Sequence, residues 1–405
     1  MHTDYLSAQD AATRLGISLA TLYAYVSRGR IDSRPGPDGR TREYSASDVE
    51  QLIERRQAGR GAAQGAAHSL AWGLPVMETR ISLIRPHGHY YRGESAIAMA
   101  KDGATLEETA RLLWDCGEHD PFVANLPAPW PAAVAYLLRQ PDVPPLERTA
   151  TALPLLALDA THAHSTDPMH RRRDAALLLR EAAALLCGAQ PSEQPIHRVM
   201  VTSWRKNDIG LADLVRCALV VCADHELNAS SFATRVAAST GASLHAAVCA
   251  GLAALSGPHH GGAAARAHAF IQDMLRERKA VDRVRERLRR GETLPGFGHP
   301  LYPDGDPRAT MLLDGLQSTR PRPAKLLPIQ RLIETVQTQC GRRPNLDFAL
   351  ASIASAYELG ADVALAIFAA GRMAGWLAHA LEQQQHGGLI RPRANYVGRM
   401  PQRGG

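Results

Sequence analysis

From about residue 68 to near the C-terminus, apolar residues recur at helical spacing with almost no strand-like alternation. Leu106, Ala110, Leu113 and Trp114 share one face of the segment Thr105 to Gly117, and Leu244, Val248, Leu252 and Leu255 do the same between Ser243 and Leu255. Such stripes have to be buried against other helices, so the pattern predicts an all-α domain over 68–405. Only Arg80 to Ile84 alternates like a strand. Neither an internal repeat nor a glycine-rich phosphate loop is present.

A chain of 405 residues is too long for one simple core. The expected break is 58–67, small and breaker-rich without apolar periodicity, which reads as a linker. Before it, residues 1–57 form a separate unit. Leu6 to Leu15 is a short helix with apolar Ala11, Ala12 and Leu15, followed by Gly16 and by Ser18, the predicted N-cap of a second helix through Ser27. Pro35 to Arg40 is a turn between extended segments, and a last helix runs from Ser47 to about Arg56. This is a helix-turn-helix pattern and resembles winged domains of the MerR and excisionase type, in which the second helix enters the major groove.

Five arginines (28, 30, 34, 40, 42) stand between residues 28 and 42 against Asp32 and Asp38. Thr21, Tyr23, Arg28, Arg40 and Arg42 are therefore candidate DNA-contacting residues. The competing reading is an appendage that binds no DNA, because residues 1–60 as a whole are nearly neutral. The whole-chain charge of +6 is almost all arginine and spread along the sequence, so it does not itself argue for nucleic acid. No run of about eighteen apolar residues and no basic-then-apolar leader is present, so a cytoplasmic protein is expected. The six cysteines stand singly in apolar helical sequence and are expected to be buried, reduced thiols.

Three polar clusters interrupt the small, apolar sequence from Ala223 to Ala309. They are Asp224-His225-Glu226-Leu227-Asn228-Ala229-Ser230, Ser256-Gly257-Pro258-His259-His260-Gly261-Gly262-Ala263, and Gly296-Phe297-Gly298-His299-Pro300-Leu301-Tyr302 leading to Asp306-Pro307-Arg308-Ala309. Histidines beside glycines at helix ends are imidazoles presented where backbone comes close to a ligand. Metal ligation, acid/base work and core packing are the three roles open to them. The HExxH zinc pattern fails because Ala229 stands in the second histidine's place, and no metal is expected. Asp347, Arg308, Arg372 and Arg391 add what a site needs to bind carboxylates and move protons. Arg372, Trp376 and His379 share one helical face; the bland reading of Arg372 is an ion pair with Glu358 or Glu382. Residues 389–393 must be extended ahead of Pro392. His162, His164 and His170 form a further loop cluster.

These motifs, together with Tyr91-Arg92-Gly93, Leu112-Leu113-Trp114, Pro344-Asn345-Leu346-Asp347-Phe348 and Gly371-Arg372-Met373-Ala374-Gly375-Trp376, resemble the citrate synthase family from about Val76 onward. The resemblance implies a large helical domain (68–205 and 320–405) with a small helical domain inserted at about 206–319, a homodimer, and an active site shared between subunits. It implies that Asp347 removes the methyl proton of acetyl-CoA, that His260 hydrogen-bonds the thioester oxygen, and that His299 polarises the oxaloacetate ketone. His225, Arg308, Arg372 and the partner's Arg391 would hold the oxaloacetate carboxylates. No permanently bound cofactor is implied, only acyl-CoA as substrate. Two departures stand out: Pro303 occupies the position where the family has a basic CoA-phosphate contact, and His259 precedes His260, where a second imidazole is expected to perturb the first. The expected activity is condensation of acetyl-CoA with oxaloacetate to citrate, with propionyl-CoA and 2-methylcitrate as the alternative. A DNA-binding regulator that senses oxaloacetate or acyl-CoA is the alternative of another class.

Overall fold

A computed structural model describes residues 5–28, 30–36, 41–58, 77–123, 128–160, 162–277, 279–394 and 398. It divides into two compact units, Met1–Glu78 with Pro392–Gly405, and Thr79–Arg391. The expected linker therefore lies, except for Ala58, outside the described residues, as does Arg40.

In the first unit β1 (Tyr5–Ser7) leads into α1 (Ala8–Leu15), with the Ser7 side chain capping the helix at Asp10 N. Gly16 ends α1 in the left-handed conformation, at φ 60°, which an L side chain adopts only with strain. Ser18 then caps α2 (Leu19–Ser27) by accepting from Thr21 N, as its place in the sequence predicts. β2 (Ser33–Pro35) and β3 (Arg42–Ser45) form a wing, with β3 also paired to β1, and α3 (Ala46–Ala58) follows. Leu22, fully buried against Leu6, Ala12 and Leu15, anchors α2 and contributes about 2 kcal/mol.

The second unit opens with a three-stranded meander, β4 (Ser82–Arg85), β5 (Gly88–Tyr91) and β6 (Glu94–Ser95), where only one strand was expected. Short helices α4 (Ala96–Lys101), α5 (Leu106–Leu113) and α6 (Ala132–Leu138) are followed by α7 (Pro145–Ala157) and α8 (Pro168–Cys187). Then come α9 (Ile196–Trp204), α10 (Ile209–Cys222), α11 (Ala229–Ser239), α12 (Leu244–Leu255), α13 (Gly262–Arg276) and α14 (Ala280–Arg289). The unit closes with α15 (Pro307–Ser318), α16 (Leu326–Cys340), α17 (Leu346–Ala356) and α18 (Ala361–His386). α5 is shorter than its periodicity suggests: Thr105 and Glu108 form a reciprocal capping box at its start, and the chain leaves the helix after Trp114, where Asp115 takes φ 55°.

α18 is the axle of the unit, packed on α8, α10, α11, α12, α13 and α17. It is long and apolar enough to cross a membrane by length and composition, but 83% of its most apolar stretch is buried inside the fold. Gly371 and Gly375 let it touch the end of α10. A Cβ at Gly371 would fall 2.8 Å from Leu219 O, and one at Gly375 would overlap Ala223 O. All six cysteines are free, but only Cys116 and Cys222 are buried; the other four lie half-buried at the rims of helices. One continuous buried core runs from Ile81 to Ala380.

Candidate active site

The close approach of α18 to α10 is what places Arg372. Its Nε donates to Cys222 O at 2.9 Å, and its guanidinium lies 4.8 Å from the centre of the Phe368 ring. The side chain is buried, with no ion pair to Glu358 or Glu382. Those carboxylates are taken by Lys325 and by Arg235, so the bland reading of Arg372 does not hold.

Beyond Cys222 the chain turns sharply through Asp224-His225-Glu226, with Glu226 at φ 53°, strained for a residue with a side chain. The turn is held from the meander. Ser82 Oγ donates to Asp224 Oδ2, Glu226 N donates to both Ser82 Oγ (3.2 Å) and Asp224 Oδ2 (3.1 Å), and Glu226 Oε1 accepts Ile84 N (3.2 Å). Asp224 is fully buried. Burial works to raise its carboxyl, but His379, 3.2 Å away, with Arg372 and Ser82 brings it below the ordinary carboxylate range. His225 projects from this turn with Nε2 at 2.9 Å from Tyr302 Oη. Burial, Arg308 and the neighbouring imidazole of His89 hold it well below the usual histidine range, hence neutral.

Arg308 is fixed from the opposite side. Asp306 caps α15 and binds Arg308 bidentately, Nε at 2.9 Å and Nη2 at 2.8 Å, both residues being buried. Asp306 Oδ2 also accepts Leu346 N (3.0 Å), which locks the start of α17 to the start of α15. The Arg308 ring contact is with Tyr302, 5.3 Å to the centroid.

His299 sits on a loop that pairs with the residues before α17. Gly298 N donates to Arg343 O (2.8 Å), Asn345 N to Gly296 O (2.9 Å) and Asn345 Nδ2 to Gly298 O (3.0 Å), around a Phe297–Pro344 bridge. Leu301 N donates to His299 Nδ1 at 3.1 Å. Nδ1 is thus an acceptor and the neutral ring carries its proton on Nε2. Burial and Arg308 lower it to about 4. The rings of His225 and His299 lie 5.6 Å apart.

Asp347 is in the first turn of α17, capped by Asn345. A carboxylate there is favoured by the helix terminus, yet burial prevails and raises it to about 6 against the pull of Arg308 and Arg266. His260 lies in the turn between α12 and α13, where Gly261 N donates to Leu255 O (2.9 Å) and a Cβ on Gly261 would overlap that oxygen. Its Nε2 is 2.8 Å from Ser230 Oγ, which accepts from Trp376 Nε1 (3.1 Å) and donates to Asn228 Oδ1 (2.7 Å). Asn228 Oδ1 also accepts two backbone amides. Burial and Arg372 lower His260 to about 4, while His259 lies exposed, so the neighbour expected to perturb it is not what acts on it.

The fold is that of solved citrate synthases. The enzyme from Thermotoga maritima superposes with a TM-score of 0.66 over 81% of this chain and 95% of that one, at 24% identity. The Thermoplasma acidophilum citrate synthase, solved as a ternary complex with carboxymethyl coenzyme A and oxaloacetate, gives 0.67 over the same shares at 25% identity. The citrate synthase C-terminal domain profile matches residues 69–393. The chain belongs to the citrate synthase family. A helix-turn-helix domain profile matches residues 5–57. Citrate synthase 2 of Bacillus subtilis is 31% identical over 64% of this chain and 73% of its own length. The 2-methylcitrate synthase of Shewanella oneidensis is 35% identical over 46% of this chain and half of its own length.

Of the residues singled out from sequence, the structure brings His225, His299, Arg308 and Arg372 around one polar centre, and the Asn345 cap carries Asp347 against the His299 loop. Arg391 is exposed, and no hydrogen bond or ion pair among the described residues joins it to the cluster. In the first unit Tyr23, Arg28 and Arg42 are exposed, while Thr21 Oγ1 bonds Ser18. His162 and His170 stack at 4.4 Å beside a cavity of about 310 Å³. Sequence reasoning missed His89, and it gave Tyr91 and Tyr302 no role although they stand inside its motifs. For His89 a signal was present: Gly88-His89 repeats the glycine–histidine adjacency of Gly298-His299.

Proposed function

We propose that this enzyme condenses acetyl-CoA with oxaloacetate, releasing citrate and CoA through citryl-CoA. The observation that supports the reading is the clip between the His299 loop and the start of α17, which ties the segment bearing a neutral imidazole to the segment bearing a carboxylate poised near neutrality. A thioester α-proton is weakly acidic, and a base poised near neutrality with a donor at the developing oxyanion is what its removal needs. Asp347 takes the methyl proton while His260 hydrogen-bonds the enol(ate) oxygen. The carbon attacks the ketone, and His299 Nε2–H donates to the oxygen that becomes the tertiary hydroxyl. Water then hydrolyses the thioester. Arg308, Arg372 and His225 hold the dicarboxylate, with Arg391 of a partner subunit in a homodimer, and closure of the 206–319 lobe shields the intermediate.

Pro303 offers no charge to CoA phosphate, but the exposed Arg343, whose stem lies against Gly305, brings a cation to the same loop. Propionyl-CoA is the alternative acyl donor, since one methylene is worth only about 1–3 kcal/mol. A thiol-release assay with both donors decides: faster release with acetyl-CoA is expected, preference for propionyl-CoA makes the chain a 2-methylcitrate synthase, and no release with either defeats the enzymatic reading. The exposed Tyr23, Arg28 and Arg42 on a winged helix-turn-helix support a second role, contact with DNA.

A further inference from the structure

His89 lies on β5, is fully buried, and has no part in the chemistry above. Its Nε2 is 3.1 Å from Tyr91 Oη. Tyr91 gives its own proton to Val220 O at 2.8 Å, so Nε2 must be the protonated nitrogen of the His89 ring and donates to Tyr91. Nδ1 is then a bare lone pair, buried and without a hydrogen-bond partner among the described residues. A buried polar atom left so is expensive unless something fills the vacancy.

The surroundings say what fills it. The ring is 5.9 Å from that of His225, and its electrostatic neighbours are Arg308 and Asp306 from the start of α15, Asp224 from the turn after α10, and Arg372 from α18. These are the groups of the carboxylate site. Burial and Arg308 keep His89 neutral, near 3. A dianion entering between the two arginines reverses the sign of that local field.

We propose that His89 is a further substrate-contacting residue, whose Nδ1 takes a proton from solvent as the dicarboxylate binds and donates it in a hydrogen bond to the ligand. The inference rests on the dicarboxylate reading of the site. It makes oxaloacetate affinity fall as pH rises between the free and bound pKa values of His89, by up to about tenfold per pH unit.

The test is calorimetric titration of the full chain with oxaloacetate near pH 6, in two buffers of different ionisation enthalpy. Proton uptake is expected for the wild type. His89→Gln keeps an amide for Tyr91 Oη but nothing at Nδ1, and should lose that uptake and bind about tenfold more weakly. His89→Asn places an amide where Nδ1 stood, and should bind closer to wild type while taking up no proton. Absence of uptake by the wild type, or uptake and affinity in His89→Gln equal to wild type at an unchanged melting temperature, overturns the proposal. Failure of the wild type to bind oxaloacetate at all removes the dicarboxylate reading along with it.

Discussion

The arginines of the two units make opposite use of the same side chain. Arg308 and Arg372 are buried and held by named partners, Asp306 and Cys222 O, so their remaining donors are aimed before any ligand arrives. Arg28 and Arg42 are exposed, and among the described residues Arg42 reaches only Ser33 O, at 3.4 Å. Fixed cations suit one small dianion of defined shape, and loosely held ones suit a polyanion whose charge is spread over a surface. The first kind is expensive to build and sensitive to change.

The largest effect should come from breaking the fixed set. Asp306→Ala leaves Arg308 buried without its carboxylate and unties α15 from α17, and should destabilise the fold by about 3–5 kcal/mol in denaturant titration. A loss below 1 kcal/mol would mean that the pair is not what holds Arg308. Asp347→Asn should lower kcat by about 10²–10⁴-fold with oxaloacetate affinity nearly unchanged, and wild-type turnover would refute its role as base.

The same substitution sharpens the contrast through stability. The folded Asp347 carboxyl lies at about 6, above its ordinary 3.8, so the folded state binds that proton more tightly than the unfolded chain does. Stability is therefore lost as pH rises from about 3.8 to about 6, in full above that and not at all below about 3.8, and Asp347→Asn should gain about 3 kcal/mol at neutral pH. A loss would sink this account. In the wild type, kcat/KM should fall as pH drops below about 6 because the base becomes protonated; a profile flat to pH 5 would not fit.

Arg28→Ala with Arg42→Ala should leave melting temperature and turnover unchanged while weakening any salt-dependent DNA mobility shift of the full chain, and an unaltered shift would remove these residues from the contact. Smallest of all, Glu286→Gln, which cuts the exposed pairs with Arg283 and Arg290, should not move the melting curve measurably.

Much of this was legible because local signals act locally. Ser7, Ser18, Thr105 and Ser243 cap the helices their positions announce, and glycine–histidine adjacency marked the presented imidazoles. What escaped was set by long-range packing. Nothing near Arg372 in sequence names Cys222 O as its partner, since that contact depends on Gly371 and Gly375 meeting a helix end 150 residues earlier in the chain. His89 escaped, despite the glycine before it, because its nearness to His225 forms only when the meander packs on the rest of the unit. The perturbation assigned to His259 failed for the converse reason: sequence adjacency does not imply a shared environment.

The bonds from Gly298 and Asn345 across the Phe297–Pro344 bridge fasten the imidazole of His299 and the carboxylate of Asp347 to one rigid brace. Motion of either element therefore carries both side chains together, whereas His260 is tethered separately, through Ser230 and Trp376. On the proposed chemistry the first pair is set like the jaws of a fixed gauge, and the distance to His260 is the one left to adjust.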